Sequence, residues 1–248
     1  MSAEIIILSL AVAVLTFAGL VKGMVGVGFP VVAMSILTVF MDPIVAVGLV
    51  SIPVLATNGW QAFKAKNYAV VFRRFWPLIV TLVVGTWIGG LAVAQVDTNV
   101  LLGAIGAVAV MFSLFSVLSP DLNVSSGSQK FFGPLTGVVA GVMGGLTTVH
   151  GPPVMMYLLA LNLKKDEFVG TVGMIWFCGS IPMVIAYAYK GVLGPTEILW
   201  SLLAIIPSFS GLYFGSLLRD KINQKVFKNV MIAVLFIIGV NLIRRSIF

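Results

Sequence analysis

Residues 5–41 read IIILSLAVAVLTFAGLVKGMVGVGFPVVAMSILTVFM, with Lys22 as the single charge. A helix needs roughly 20 apolar residues to cross the hydrocarbon layer of a bilayer. This stretch is almost twice that, but its middle is different in kind. Gly23, Gly26 and Gly28 lead into Pro30. A residue before proline is pushed out of helical geometry, and proline fits the first turn of a new helix. The stretch predicts a helix, an unwound middle and a second helix.

A second stretch repeats the design. Residues 131–163 read FFGPLTGVVAGVMGGLTTVHGPPVMMYLLALNL and are broken by Gly141, Gly144, Gly145, Thr147, Thr148, His150, Gly151, Pro152 and Pro153. The other runs free of Lys, Arg, Asp and Glu are Ile44–Phe63, Phe75–Val96, Thr98–Pro120, Phe168–Tyr189, Ile198–Leu218 and Asn229–Ile243. They are too long and too uniformly apolar for the short alternating strands of a membrane barrel. Within lipid the backbone must satisfy its own polar groups, so each run is expected to be helical.

Composition agrees. The 248 residues are 60% hydrophobic and 9% charged, with a mean hydropathy of +1.12. Soluble domains carry about 25% charged residues. A net charge of +7 would raise the question of nucleic acid in a soluble protein. Here the basic residues sit in short connections, as membrane orientation requires, and no nucleic-acid partner is expected. A lone cysteine, Cys178, excludes a disulfide within the chain and a cysteine-based metal cluster. The start, Met1 to Glu4, is acidic, so the first apolar run is expected to be a retained span rather than a cleaved signal.

The two broken stretches are related by an internal repeat. Gly19 and Gly23 match Gly137 and Gly141, and after four extra residues Pro30, Val32 and Met34 match Pro152, Val154 and Met156. Gly48 matches Gly170. Gly85, Gly89, Leu91 and Val100 match Gly211, Gly215, Leu217 and Val226. Lys64, Lys66, Arg73 and Arg74 mark residues 64–74 as cytoplasmic, and Arg219, Lys221, Lys225 and Lys228 do the same for 219–228. Arg244 and Arg245 then fall outside, against the rule. The expected fold is an all-α integral membrane protein, one membrane domain over residues 1–248. It holds two inverted repeats, about 5–120 and 131–245, each a broken helical hairpin plus three transmembrane helices, with 8–10 membrane segments depending on whether the hairpins cross fully. Such repeats place a substrate site near the bilayer midplane, where the broken helices face each other.

The two breaks also carry a family resemblance. Residues 18–30, AGLVKGMVGVGFP, and residues 141–153, GVMGGLTTVHGPP, followed by Tyr157-Leu158-Leu159, resemble the two signatures of the sulfite exporter TauE/SafE family. The span pattern agrees along the whole chain. The sequence departs from the commoner form at Phe29 and at Thr147–His150, where many members carry glycines. The resemblance implies a multi-pass transporter of the bacterial inner membrane for sulfite, organosulfonates such as sulfoacetate, or related oxyanions.

The apolar runs hold no Asp or Glu; Lys22 and His150 are their titratable groups near neutral pH. An ionisable group at depth in a membrane is costly and marks function by default, although a lysine at a span end also snorkels to the interface. His150 is a donor to an anion or a proton-responsive group, or else a histidine serving a freed carbonyl. Gly26, Gly28, Gly144 and Gly145 let backbone unwind towards a ligand, and helix starts near Pro30 and Pro152 aim N–H groups at it; plain helix packing by small residues is the competing reading. Thr147, Thr148 and Asn58 add neutral donors. Tyr157 and Trp176, and Trp60 beside them, are candidate walls. The substrate-binding candidates are therefore Lys22, Gly26, Gly28, Asn58, Gly144, Gly145, Thr147, Thr148, His150, Tyr157 and Trp176. No catalytic residue, metal site or cofactor is expected: there is no second histidine and no metalloprotease spacing. The expected partners are a small anion and the lipid bilayer, with homo-oligomerisation open. The leading function is an alternating-access carrier of a small oxyanion or organosulfonate; an anion channel of the same fold is the alternative.

Overall fold

A computed structural model describes residues 3–64, 68–118, 129–161, 163, 165–218, 221 and 224–248. Lys66, Pro120 and Arg219, used above for span ends and orientation, lie outside the described residues. The described residues form helices and no strand: α1 (Ala3–Val25), α2 (Phe29–Leu37), α3 (Pro43–Lys64), α4 (Tyr68–Ala92) with a short 3-10 turn (Val93–Gln95), α5 (Thr98–Leu118), α6 (Gln129–Thr147), α7 (Gly151–Leu159), α8 (Lys165–Tyr189), α9 (Pro195–Leu203), α10 (Ile205–Leu218) and α11 (Gln224–Ile247). Six of these stretches are long and apolar enough to cross a membrane: Ile5–Val25, Pro43–Lys64, Ala69–Gln95, Thr98–Leu118, Glu167–Tyr189 and Pro195–Leu218. The chain is an all-α, multi-pass membrane protein.

The first break falls on its glycines, and the second falls between Gly145 and Gly151. Between α1 and α2, Gly26 has φ 89° and Gly28 has φ 100°. A Cβ costs roughly 1–2 kcal/mol in that region, so glycine is the residue that fits. Between α6 and α7 the turn is made by Thr148, Val149 and His150. The second legs, α2 and α7, have nine residues each. At 1.5 Å per residue that is about 13 Å, less than half the ~30 Å hydrocarbon thickness. Each hairpin therefore pairs one long helix with one half-length helix.

Two expectations need correction. Gly23, Gly141, Gly144 and Gly145 do not unwind; they lie inside α1 and α6. Residues 68–74 are not a loop either. Helix α3 runs to Lys64 and α4 starts at Tyr68, so Arg73 and Arg74 are helical. They precede a kink at Phe75 (φ −111°, ψ 15°), two residues before Pro77. Charge did not break the helix there because Arg is a good helix former.

Asp42 and Asp97 have ordinary local duties. The Ile44 N–H donates to Asp42 Oδ1 at 2.8 Å, and the Asn99 N–H donates to Asp97 Oδ1 at 2.8 Å. Each acid caps the start of α3 or α5 and satisfies a donor the helix leaves orphaned.

The chain divides into two compact units. Unit 1 is Met1–Pro53, Asp97–Leu114 and Gly194–Phe248. Its centre is α1 against α10. A Cβ on Gly23 would come within 2.8 Å of Ser216 N and 2.9 Å of Gly215 Cα; one on Gly211 would come within 2.8 Å of Leu20 N. The helices touch backbone to backbone. Within α3, Pro53 has no N–H to give Leu49, and the Ser201 hydroxyl of α9 donates to the Leu49 carbonyl instead, at 2.9 Å. Unit 1 also accounts for Arg245. Its guanidinium donates to the carbonyl of Thr38, the C-cap of α2, at 3.2 Å. A half-length helix ends with free carbonyls at its negative dipole end, and a cation there stabilises it. Arg245→Gln is expected to lower stability by about 1–2 kcal/mol, read as a lower unfolding temperature; an unchanged temperature would show the contact to be idle.

Unit 2 is Val54–Val96 and Phe115–Leu193. Its centre is α4 against α6, packed in the same manner. A Cβ on Gly141 would lie 2.8 Å from Thr86 N and 3.0 Å from Gly85 Cα, and one on Gly145 would lie 2.6 Å from Gly90 N. Helix α8 packs on α4, with Gly90 set against Ala186.

Candidate functional site

The break in unit 2 is held in an unusual conformation. Thr148 has φ 65°, the one non-glycine residue with positive φ among those described. For a β-branched side chain this region is an outlier costing of order 1–3 kcal/mol. Several polar groups around it nonetheless have partners. The Thr148 N–H donates to Gly144 O at 2.8 Å. Gly145 O, left without a helical partner by the break, accepts from the Tyr187 hydroxyl at 2.7 Å. The Thr147 hydroxyl donates to Met143 O at 2.7 Å and receives the Val149 N–H at 3.3 Å. The exception is the Thr148 hydroxyl itself, which is fully buried and has no hydrogen-bond partner.

His150 occupies the N-cap of α7, with its ring 2% exposed. The ring has a seat made of absences. A Cβ on Gly144 would overlap it, and a Cβ on Gly179 of α8 would stand 3.0 Å from Nε2. Nε2 lies 3.1 Å from the Thr86 hydroxyl of α4. Thus α4, α6 and α8 together fix the ring, and the Thr86 bond leaves Nδ1 to carry the complementary donor or acceptor role.

Helix α7 opens Gly151-Pro152-Pro153. Proline has no N–H, so two of the first three residues bring no donor. Of the first three helical residues only Gly151 carries an N–H. A second donor stands beside it. Trp176 of α8 places ring carbon Cζ2 3.6 Å from where a Cβ on Gly151 would be. The indole Nε1 is buried, and no hydrogen-bond acceptor meets it. Native structures rarely bury a polar group without a partner, and each instance calls for an explanation such as a ligand. Asn58 supports this wall: its amide donates to the Ser180 hydroxyl at 3.2 Å, which in turn donates to Trp176 O at 2.6 Å.

The break in unit 1 has different chemistry. Lys22 sits in the last turn of α1, where the helix dipole favours a cation. It is 3% exposed, which does not fit an anchor snorkelling to water. Its carbonyl accepts the Gly26 N–H at 2.7 Å. On α2 the Ser35 hydroxyl is buried without a partner.

Of the sequence candidates in unit 2, the structure gathers Thr147, Thr148, His150 and Trp176 at one break, with Asn58 behind Trp176. Gly144 is the seat of the His150 ring, and Gly145 belongs to the contact with α4. Tyr157 is elsewhere: its hydroxyl reaches Gln129 O at 3.5 Å and lies over Gly133, at the far end of α6 from the break. Trp60 is 55% exposed. Sequence reading missed Thr86, Gly179 and Tyr187. Thr86 and Gly179 sit in unremarkable apolar helices, and Tyr187 passes for an anchor near a span end. Among the described residues no carboxylate is buried, and no three His, Cys, Asp or Glu side chains cluster as metal ligands.

Residues 11–242 match the sequence model of the family described as Sulfite exporter TauE/SafE. No curated protein and no solved structure matches the chain.

Proposed function

The chain belongs to the sulfite exporter TauE/SafE family of membrane transporters, and from that premise we propose that it is a secondary carrier of a small oxyanion or organosulfonate in the bacterial inner membrane. Alternating access exposes the bound anion first to one side and then to the other. The observation that carries the anion reading is the pair of partnerless buried polar groups at the unit 2 break, Thr148 Oγ1 and Trp176 Nε1. Both can donate a hydrogen bond, and both stand at the positive end of α7. The unit 1 break brings the buried cation Lys22. A sodium or calcium site would call for carboxylates or converging carbonyls; a sulfur oxyanion calls for hydrogen-bond donors or positive charge, and each break supplies one of these.

The duplication with inversion is part of the same proposal. Its support is that matched glycines make matched contacts. Gly19 and Gly23 of the first copy lie against the helix carrying Gly211 and Gly215 of the second. Gly137 and Gly141 of the second lie against the helix carrying Gly85 and Gly89 of the first.

The test is thermal unfolding of the purified protein with sulfite, sulfate, thiosulfate, isethionate, taurine and sulfoacetate, since a ligand bound to the native state raises its stability. One or more sulfur oxyanions should stabilise the wild type. Lys22→Ala should bind about tenfold or more weakly, and Lys22→Arg should keep most of the affinity. Equal binding by all three proteins would remove Lys22 from the site. Unitary currents in planar bilayers would replace the carrier with a channel.

A further inference from the structure

Unit 2 also holds a surface concavity of about 800 Å³, lined by Ala69, Phe72, Arg73 and Trp76 of α4 and by Met174 of α8. The four α4 residues fall at i, i+3, i+4 and i+7, one stripe of a helix. The kink at Phe75 lies within the stripe, and a kink next to proline bends a helix at the point where a backbone bond is lost. Apolar exposure is ordinary on a membrane protein, so Phe72 at 50% and Trp76 at 55% need no comment alone. An arginine in the middle of the stripe does.

The neighbouring arginine shows what is missing. Arg74 Nη1 lies 2.9 Å from Glu167 Oε1, and its guanidinium stacks over the Phe75 ring with 5.1 Å to the centroid. Its charge is compensated. Arg73 has no hydrogen bond or ion pair among the described residues, and Glu167 is already engaged by Arg74. Among the described residues the groove therefore presents one uncompensated cation, set among two exposed aromatic rings and a thioether.

We propose that this groove is a binding site for a phospholipid with an anionic headgroup. The phosphate pairs with Arg73, whose planar fork suits phosphate oxygens, and an acyl chain lies along Phe72, Trp76 and Met174. Tryptophan is the side chain that favours headgroup depth. A small hydrophilic anion fits less well, because it would leave the aromatic stripe uncovered. The lipid serves both halves of the groove in one molecule.

The experiment is native mass spectrometry of the purified protein titrated with phosphatidylglycerol or phosphatidylcholine of the same acyl composition. A single basic residue near a membrane surface is worth roughly 1 kcal/mol towards anionic lipid, so the wild type should retain phosphatidylglycerol about fivefold better. Arg73→Gln should abolish the preference and Arg73→Lys should keep most of it. Arg74→Gln, whose charge is spent on Glu167, should leave the preference intact. Filling the groove with Ala69→Trp should reduce retention of both lipids, and millimolar inorganic phosphate should displace neither. The proposal is overturned by a wild type indifferent to headgroup, by an Arg73→Gln protein that keeps the preference, or by displacement with phosphate, which would mark a site for free anions.

Discussion

Replacing Gly141 by valine is expected to leave no folded protein. Gly141 faces α4 in unit 2, and even the Cβ of alanine would overlap the Leu82 carbonyl, besides lying 2.8 Å from Thr86 N and 3.0 Å from Gly85 Cα. All three are backbone atoms, so no rotamer change relieves the overlap. The helices must separate, and Gly85, Gly89 and Gly145 share the same contact, so separation at one point opens the whole face. Overpacking a core typically costs about 1–3 kcal/mol where side chains can yield; here they cannot. A protein with only about 5–15 kcal/mol of stability has little reserve against that. Packing is also the main attraction between helices in lipid, where apolar burial gives no advantage. Gly141→Ala should lower the unfolding temperature clearly, and Gly141→Val should yield aggregated material by size-exclusion chromatography. Gly103→Ala is the comparison, because its Cβ would meet only the Ser246 side chain, 3.0 Å away at Oγ, which can turn aside. Equal melting of the two alanine variants would show that the close contact of α4 and α6 is not what holds unit 2 together.

The second large effect separates stability from binding at Thr148. Thr148→Gly removes the strain of a β-branched residue at φ 65°. Glycine loses more backbone entropy on folding, by roughly 0.5–1 kcal/mol, but the relieved strain is of order 1–3 kcal/mol. The variant should unfold at the same temperature as the wild type or higher. It should also bind sulfur oxyanions about tenfold more weakly, because the buried hydroxyl is gone and a hydrogen bond to a charged ligand is worth roughly 1.5–3 kcal/mol. Trp176→Phe should behave alike in binding, since it keeps the ring and deletes the unpartnered N–H. A strained residue that lowers stability while improving binding is what a functional site looks like; a merely structural Thr148 would show the stability gain with no loss of affinity. If Thr148→Gly and Trp176→Phe both bind as the wild type does, the anion is held elsewhere.

The candidate site was half legible for a definite reason. Thr148, His150 and Trp176 were nameable because polar or bulky groups in apolar runs stand out one at a time. Their arrangement was not. His150 meets Thr86 across 64 positions of sequence, and nothing about Thr86, one threonine beside Gly85, marks it as the partner. Gly144 read as a place where backbone approaches a ligand, and it proved to be the floor under an imidazole. A glycine reports only that a Cβ is unwelcome; what excludes it belongs to another part of the chain. Tyr157 failed for the same reason in reverse. Its position near the break in sequence says little, because half a helix carries it towards Gln129.

Arg245 shows the limit for charge. Counting Lys and Arg treats each as a marker of the cytoplasmic side, and by that count Arg245 was an exception. Its contact with Thr38 O, 207 positions away, gives it a different task. What depends on near neighbours along the chain was legible in the residues alone: a membrane protein, helical in its apolar runs, with one break somewhere in residues 23–30 and another somewhere in 141–153. Run length against bilayer thickness and the backbone limits of glycine and proline are enough for that. Only the tertiary structure decided which glycines unwind and which pack, that the second legs are half-length helices, and which buried donors lack a partner. Those outcomes depend on what arrives from distant segments, and α10 against α1 or α4 against α6 is settled by backbone-to-backbone fit, which local sequence does not encode.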